Sequence, residues 1–472
     1  MSDGTPSLDL PRAARQWGGH PAVADGDGAI SYGRLPGLVT AMATRLGAEG
    51  ADSGRPLVLA AANSTALVIT LLAAWHRGIA VLPLNPRFPA AQRHRIVNDL
   101  GDTVYWDSPP LDRWLKEAEG RVDTQPPLPV PDPATPATLV LTSGSSGDPK
   151  PALHSLANHL WSAAGSNINI PLVPGDRWLL ALPLFHVGGL AILFRCLLAG
   201  ATIAVAEPDL PLPEAIEANR PSHLSLVATQ LQRLMDGNLP PEALEAVKAV
   251  LLGGSAIPDG LLRAAFARSL PVHTSYGSTE MGSQITATPT GADLETLRGS
   301  GRVLPHREVR IAPDGEILVR GKTLFLGYRR GTELDGARDE AGWFHTRDRG
   351  YLDAAGHLHV TGRFDNMFIS GGENIQPEAI ERALAAMEGI RNVVVVPVLD
   401  PEFGQRPAAF VAAGEAGEWR PEFWRESLAR TLPRFMLPVA LFPWPADIPE
   451  RGIKPDRGAL ARRAAELWRA GR

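Results

Sequence analysis

Short apolar runs alternate with longer, helix-like runs through the first two thirds of the chain. Residues 56–63 (PLVLAAAN) and 80–85 (AVLPLN) are apolar almost throughout, as buried strands are. Between them, residues 64–78 (STALVITLLAAWHRG) predict a helix that begins after Ser64 as its N-cap and ends at Gly78. Strand–helix–strand units of this length predict parallel α/β layers.

The longest apolar stretch, residues 187–206 (VGGLAILFRCLLAGATIAVA), has the length of a membrane span. Arg195 lies at its centre, where a charge is costly in lipid, and Gly200 interrupts it. We therefore predict a core helix, a turn at residues 199–200 and a buried strand.

Later segments change in character. Residues 308–353 are rich in Gly and Asp, and VRIAPDGEILVRG consists of two apolar runs around a Pro-Asp-Gly turn, which predicts β structure. After a boundary near residues 362–365 come a predicted helix (377–387), a buried strand (NVVVVPV) and a second helix (419–432). We predict an α/β protein in which a large N-terminal domain of layered α/β sheets carries a β-rich subdomain and precedes a small α+β domain.

Composition narrows the class of protein. The 472 residues suffice for roughly two or three domains, and 44% hydrophobic with 21% charged residues is ordinary globular usage. A net charge of −5 gives no reason to expect a nucleic-acid or anionic-membrane partner. The single cysteine, Cys196, excludes an intrachain disulfide, and the first residues lack a signal-peptide pattern, so we expect a cytoplasmic protein.

The first chemical motif is TSGSSGDPK, which follows an apolar strand. Small residues let backbone N–H groups approach an anion, hydroxyl groups add donors, and the final lysine supplies charge. The motif is not a Walker A loop, because Pro151 follows the lysine. A flexible surface loop is the alternative. The candidate phosphate-binding residues are Thr142, Ser143, Gly144, Ser145, Ser146, Gly147 and Lys150.

Three further motifs are individually weak. In YGSTE (276–280), an aromatic ring could stack on a base and a carboxylate could hold Mg²⁺, although a buried Tyr beside a helix N-cap is equally ordinary. Asp348 and Arg363 could form hydrogen bonds with ribose hydroxyls, or they could be surface charges on a β-hairpin. Lys454, in GIKPDR, could be a solvated surface lysine.

Together, and in this order, the four motifs resemble the adenylate-forming superfamily of acyl-CoA synthetases, adenylation domains and luciferases over nearly the whole chain. The resemblance implies an acid–thiol ligase that uses ATP, Mg²⁺ and coenzyme A. It also implies an AMP-binding and acyl-binding domain (1–362), a hinge (363–366) and a C-terminal domain (367–472) that rotates between the two half-reactions.

The resemblance also implies residue roles. Residues 142–150 would close over the ATP phosphates and Tyr276 would stack on adenine, with Gly277 beside it. Thr279 would bond the α-phosphate, and Glu280 would bind Mg²⁺. The remaining roles fall to Gly254, Ser255 and Ala256 at the adenine, Asp348 and Arg363 at the ribose, Asp365 at the hinge and Lys454 in catalysis. The family pattern has Gly directly before this lysine, whereas Ile453 intervenes here.

Three features bear on which acid is activated. His186 follows Phe185 where amino-acid-activating domains carry Asp, which argues against an amino acid, unless His186 is a core residue. Arg195 in an apolar helix calls for an anion. That anion is either a second substrate carboxylate or a protein carboxylate, unless the side chain reaches solvent. Residues Ser283 to Thr286, just past the YGSTE motif, are further candidates for the acyl pocket.

The segments SHLSLVATQLQRL and FISGGENIQPE, with the Gly-Ile-Lys order, resemble o-succinylbenzoate–CoA ligases of menaquinone biosynthesis. That substrate is a diacid, which suits Arg195. A ligase for another aryl or medium-chain acid, and an adenylation enzyme that loads a carrier protein, remain open. A regulator that has lost catalysis is disfavoured because Lys454 and Glu280 are present. The sequence leaves a homodimer open.

Overall fold

The computed structural model describes residues 4–122, 129–142, 150–207, 209–237, 241–254, 257–370, 373–401, 403–413, 419–448 and 456–470. The helices of these residues are α1 (Leu10–Trp17), α2 (Leu35–Ala48), α3 (Thr65–His76), α4 (Ala90–Leu100), α5 (Leu111–Glu119), α6 (Leu156–Asn169), α7 (Val187–Ala199), α8 (Leu212–Asn219), α9 (Ala228–Asp236), α10 (Asp259–Ala267), α11 (Leu294–Leu297), α12 (Pro377–Ala385), α13 (Pro421–Ala429) and α14 (Arg457–Ala470).

The strands are β1 (Pro21–Asp25), β2 (Gly28–Ser31), β3 (Leu57–Ala60), β4 (Val81–Leu84), β5 (Val104–Asp107), β6 (Pro136–Thr142), β7 (Lys150–Ser155), β8 (Arg177–Leu179), β9 (Thr202–Ala204), β10 (His223–Leu226), β11 (Ala249–Leu252), β12 (Val272–Ser278), β13 (Ser283–Ala287), β14 (Arg302–Val303), β15 (Arg307–Ile311), β16 (Glu316–Gly321), β17 (Gly327–Arg330), β18 (Glu333–Asp335), β19 (Phe344–Leu352), β20 (Leu358–Arg363), β21 (Phe368–Ser370), β22 (Glu373–Ile375), β23 (Ile390–Asp400), β24 (Gly404–Ala413) and β25 (Ala440–Pro443).

Two large sheets form the α/β layers of the N-terminal part. The seven-stranded sheet has the order β18-β17-β7-β6-β4-β3-β5, and the nine-stranded sheet the order β14-β13-β12-β11-β10-β8-β9-β1-β2. The predicted parallel unit is confirmed, because β3 pairs in parallel with β4. Helix α3 between them is capped by Ser64, whose side chain accepts from the Leu67 N–H at 3.1 Å, and Gly78 follows it with φ at +71°.

The long apolar stretch folds as the sequence predicts. Helix α7 ends at Gly200, which adopts a left-handed φ of +73°, and the buried strand β9 follows. A Cβ atom on Gly200 would lie 2.5 Å from the Trp17 ring, so this turn requires glycine. Among the described residues, no helix is long and apolar enough to cross a membrane.

The β-rich region and the C-terminal part form separate sheets. Strands β15-β16-β19-β20 make a four-stranded sheet in which the predicted Pro-Asp-Gly turn joins antiparallel β15 and β16. The last sheet has the order β22-β21-β24-β23, with β25 beside β24. Its helices α12 and α13 are shorter than predicted, ending at Ala385 and Ala429. The predicted fold class is confirmed; the domain limits and the hinge at residues 363–366 stay predictions.

Candidate active site

The two ends of the candidate phosphate loop are paired. Thr142 closes β6 and Lys150 opens β7, and the Thr142 hydroxyl donates to the Lys150 carbonyl at 3.2 Å. The Lys150 ammonium lies 5.7 Å from the centre of the Tyr328 ring. Ser143, Gly144, Ser145, Ser146 and Gly147 lie outside the described residues.

The YGSTE motif forms the end of β12 and the turn into β13. The Tyr328 hydroxyl donates to Glu280 Oε1 at 2.6 Å, and the Phe325 N–H donates to the Glu280 carbonyl at 2.7 Å. Burial, and next the Glu280 carboxylate, raise the pKa of Tyr328, so its hydroxyl stays a donor. Tyr328 therefore contacts Lys150 through its ring and Glu280 through its hydroxyl. No sequence motif predicts this link between distant segments.

His154 fixes the same turn from β7. Its Nε2 lies 2.7 Å from the Thr279 carbonyl, which only accepts, so Nε2 carries the proton. Burial lowers the pKa of His154 to about 4, and the ring is therefore neutral near pH 7. The sequence reasoning missed this residue, although its position in the strand directly after Lys150 was a usable signal.

The predicted adenine and ribose residues lie together. The Tyr276 hydroxyl donates to Asp348 Oδ2 at 2.7 Å, and Arg363 Nη1 donates to Asp348 Oδ1 at 2.6 Å. The pairing of β19 with β20 places Asp348 opposite Arg363. Burial and the Asp348 carboxylate raise the pKa of Tyr276. Donors from two separate elements, β12 and β20, therefore hold the Asp348 carboxylate in place.

The remaining candidates are those assigned to the adenine, the hinge and catalysis. Gly254 adopts a left-handed φ of +84°, whereas Ser255 and Ala256 lie outside the described residues. Asp365 lies in a 3₁₀ turn, where Arg347 Nε and Arg363 Nη2 each donate to it at 3.4 Å. Lys454 also lies outside the described residues.

Arg195 lies in the interior of α7, with 1% of its surface exposed. Its Nη2 donates to Gln284 Oε1 at 2.9 Å and to Ser283 Oγ at 3.2 Å, and its Cζ lies 5.0 Å from the centre of the Trp178 ring. Burial lowers the pKa of Arg195 to about 10, which still leaves it charged near pH 7.

Two explanations for the buried charge of Arg195 are contact with solvent and an ion pair with a protein carboxylate, and neither holds among the described residues. The side chain does not reach solvent, and within the described ranges no Asp or Glu oxygen lies within 4.0 Å of the guanidinium. A buried cation without a carboxylate is costly unless an anion from elsewhere compensates it. The acyl-pocket prediction for Arg195 and Ser283 thus keeps a physical basis.

His186 is the half-buried N-cap residue of α7, and its ring centre lies 4.7 Å from that of Phe185. Its predicted place at the acyl pocket stays a prediction. Cys196, beside Arg195, is fully buried, and burial raises its pKa, so it is an inert thiol.

The β12–β13 hairpin unites the two halves of the candidate site. It carries the nucleotide-site candidates Tyr276, Thr279 and Glu280, and it places Ser283 and Gln284 beside Arg195. Ser283 has a φ of +130°, which is rare for a residue with a side chain. Strained backbone of this kind clusters at functional sites. The hairpin thus places the candidate nucleotide-site residues next to a buried cation that favours an anion.

Comparison with known proteins identifies the family of the chain. A family model described as AMP-binding enzyme matches residues 10–329. The 2-succinylbenzoate–CoA ligase of Salmonella typhimurium is 36% identical over 459 residues, which cover 95% of this chain and 94% of the relative. An o-succinylbenzoate CoA synthetase from Bacillus subtilis, solved in complex with its acyl-adenylate intermediate, is 26% identical with a TM-score of 0.84, covering 96% of this chain and 98% of its own.

The same Bacillus subtilis enzyme has also been solved in complex with ATP and magnesium ion. That structure is again 26% identical with a TM-score of 0.84, covering 96% of this chain and 99% of its own. The family model and the relatives that match most of the chain agree with the family that the motif order indicates. The chain belongs to the AMP-binding enzyme family.

Proposed function

We propose that this chain is an ATP-dependent 2-succinylbenzoate–CoA ligase of menaquinone biosynthesis. It forms an acyl-adenylate with release of pyrophosphate, and then an acyl-CoA thioester with release of AMP. The observation that carries the choice of acid is Arg195, a buried guanidinium with no carboxylate partner in the described ranges, beside the turn that bears Glu280. Relatives named for this activity match most of the chain, which supports the proposal.

In the first half-reaction, the aliphatic carboxylate of the substrate attacks the α-phosphorus of ATP and pyrophosphate leaves. Both reactants are anionic, so positioning and charge neutralisation supply most of the rate. Tyr276 would stack on the adenine, Asp348 would accept from the ribose hydroxyls, and Lys150 with residues 142–147 would hold the departing phosphates. Thr279 would donate to the α-phosphate.

Glu280 would hold Mg²⁺ together with phosphate oxygens. One carboxylate completed by substrate phosphates is a common Mg²⁺ site, so the residues present fit the ion. Bound Mg²⁺ neutralises phosphate charge. Tyr328, which donates to Glu280 Oε1, would keep this carboxylate oriented.

Lys454 would place its ammonium near the carboxylate and α-phosphate during adenylation. In the second half-reaction the CoA thiol attacks the acyl carbonyl and AMP leaves. We propose that residues 367–472 rotate about the hinge at 363–366, which contains Asp365. This rotation would move Lys454 away from the reacting atoms and bring the loop at residues 370–375 towards them. The proposal rests on the motifs of the sequence. We assign the reaction to the cytoplasm because the single cysteine excludes a secreted fold held by disulfides.

The test of the acid uses Arg195→Met, which keeps side-chain length but removes the charge. We expect KM for 2-succinylbenzoate to rise by about tenfold to a hundredfold, because a hydrogen bond to a charged group contributes about 1.5–3 kcal/mol. KM for 4-oxo-4-phenylbutanoate, which lacks the ring carboxylate, should change little. Arg233→Ala, at an exposed position of α9, is the control. An unchanged KM for the diacid would contradict the proposal.

A further inference from the structure

Gln284 lies on β13, directly after Ser283, and only 3% of its surface is exposed. Its Oε1 accepts from Ser166 Oγ at 2.7 Å and from Arg195 Nη2 at 2.9 Å. A guanidinium can only donate, so Arg195 determines which end of the amide faces it. The oxygen of Gln284 is therefore occupied, and the amide nitrogen points away from these two donors.

Two donors in this group have no partner within the described part of the chain. Both Gln284 Nε2 and Arg195 Nε are buried and unpaired. Buried donors without an acceptor are rare in native proteins, and each one calls for a physical explanation. Here the two unpaired donors belong to side chains that are hydrogen-bonded to each other and lie next to Ser283.

The surroundings are positive. Arg307 is 6% exposed and donates to the Ser162 carbonyl, the Ser162 hydroxyl and the Pro305 carbonyl. Arg307 and Arg195 are both positively charged and repel each other. Burial, and next this repulsion, lower the pKa of Arg307 to about 9. Within the described residues, the hydrogen bonds of both guanidinium groups end on neutral acceptors. An anion would relieve the repulsion and satisfy the unpaired donors.

We infer that the Gln284 amide, through Nε2, is a specificity-determining donor that binds the second carboxylate of the substrate jointly with Arg195. The inference rests on the proposed function and extends it to a residue that no motif contains. A site built to hydrogen-bond a polar group rejects an analogue that lacks the group, because its own donors then remain buried and unpaired. Gln284 would thus make the enzyme prefer diacids over monoacids of the same shape.

The experiment compares the full-length wild type with Gln284→Glu and Gln284→Met, using 2-succinylbenzoate and 4-oxo-4-phenylbutanoate. In Gln284→Glu a carboxylate of nearly the same shape pairs with Arg195 and removes the amide donor. We expect kcat/KM for the diacid to fall by about a hundredfold, and that for the monoacid to stay within about threefold. Gln284→Met, which loses the donor without adding charge, should lower the diacid preference by about tenfold.

Gln232→Glu makes the same chemical change on α9, where Gln232 Nε2 donates to Asp236, and serves as the matched control. Melting temperatures of all variants exclude unfolding as the cause. Equal losses for both acids, or an unchanged preference in Gln284→Glu, would overturn the inference while leaving the ligase intact. A wild type that does not turn over the diacid would instead overturn the proposed function, and the inference with it.

Discussion

Burial sets the charge of individual side chains around the candidate site, with opposite results for two of them. His154 loses its charge and becomes a fixed Nε2–H donor to the Thr279 carbonyl. Arg195 keeps its charge, because even a pKa of about 10 lies well above neutral pH. The first residue can therefore hold a turn in place, and the second can attract an anion.

The low pKa of His154 makes stability depend on pH. Its pKa is about 4 in the folded protein against the ordinary histidine value of 6.5, so the unfolded chain binds the proton more readily. This contribution, up to about 3 kcal/mol, is present above pH 6.5 and is lost as the pH falls towards 4. We expect urea unfolding to show this decline, and His154→Gln, which keeps a donor but does not titrate, to show a shallower one. Equal pH slopes for the two proteins would contradict the assignment.

At the scale of elements, the β12–β13 hairpin has a demanding geometry. Its register shifts between Tyr276 and Gly277, and a Cβ atom on Gly277 would lie 2.2 Å from the Ser283 carbonyl oxygen. The hairpin carries both candidate residues of the nucleotide site and the residues that contact Arg195. Any change in its register would therefore displace both sets of residues together.

Gly277→Ala tests this coupling. The clash with Ser283 should destabilise the protein by about 1–3 kcal/mol and lower kcat/KM for both ATP and the acid. Gly260→Ala is the control, because Gly260 lies in α10 with nothing within 4 Å of a new Cβ, and alanine favours a helix. Activity and melting temperature are measured for both variants. If Gly277→Ala behaves like Gly260→Ala, the hairpin does not couple the two sites.

Local patterns predicted the elements well, because a core helix and its neighbouring strands are visible in adjacent residues. The α7–Gly200–β9 sequence and the β15–β16 turn are examples, whereas α12 and α13 end earlier than predicted. Tyr328 and His154 escaped prediction because their importance arises from contacts with Glu280 and Thr279 on other elements. Such contacts exist only once the sheets have formed.

At the scale of the whole molecule, the central structural expectation is the hinge. Asp365 lies in the short 3₁₀ turn between β20 and β21, which belong to different sheets. Asp365→Pro would fix φ there and remove a backbone donor. We expect ATP–pyrophosphate exchange to persist while transfer to CoA falls at least about tenfold, and Asp365→Ala to retain both. Parallel losses of both half-reactions in Asp365→Pro would contradict a hinge.

The most direct test of the whole account is one reaction mixture of the purified protein, ATP, Mg²⁺, CoA and 2-succinylbenzoate, analysed by mass spectrometry for AMP and the CoA thioester. The account predicts that AMP and 2-succinylbenzoyl-CoA form in equal amounts, and that Lys454→Ala forms neither at a comparable rate. Formation of thioesters from benzoates or fatty acids, but not from 2-succinylbenzoate, would contradict the assigned substrate. It would also leave the buried charge of Arg195 to be explained by a different anion.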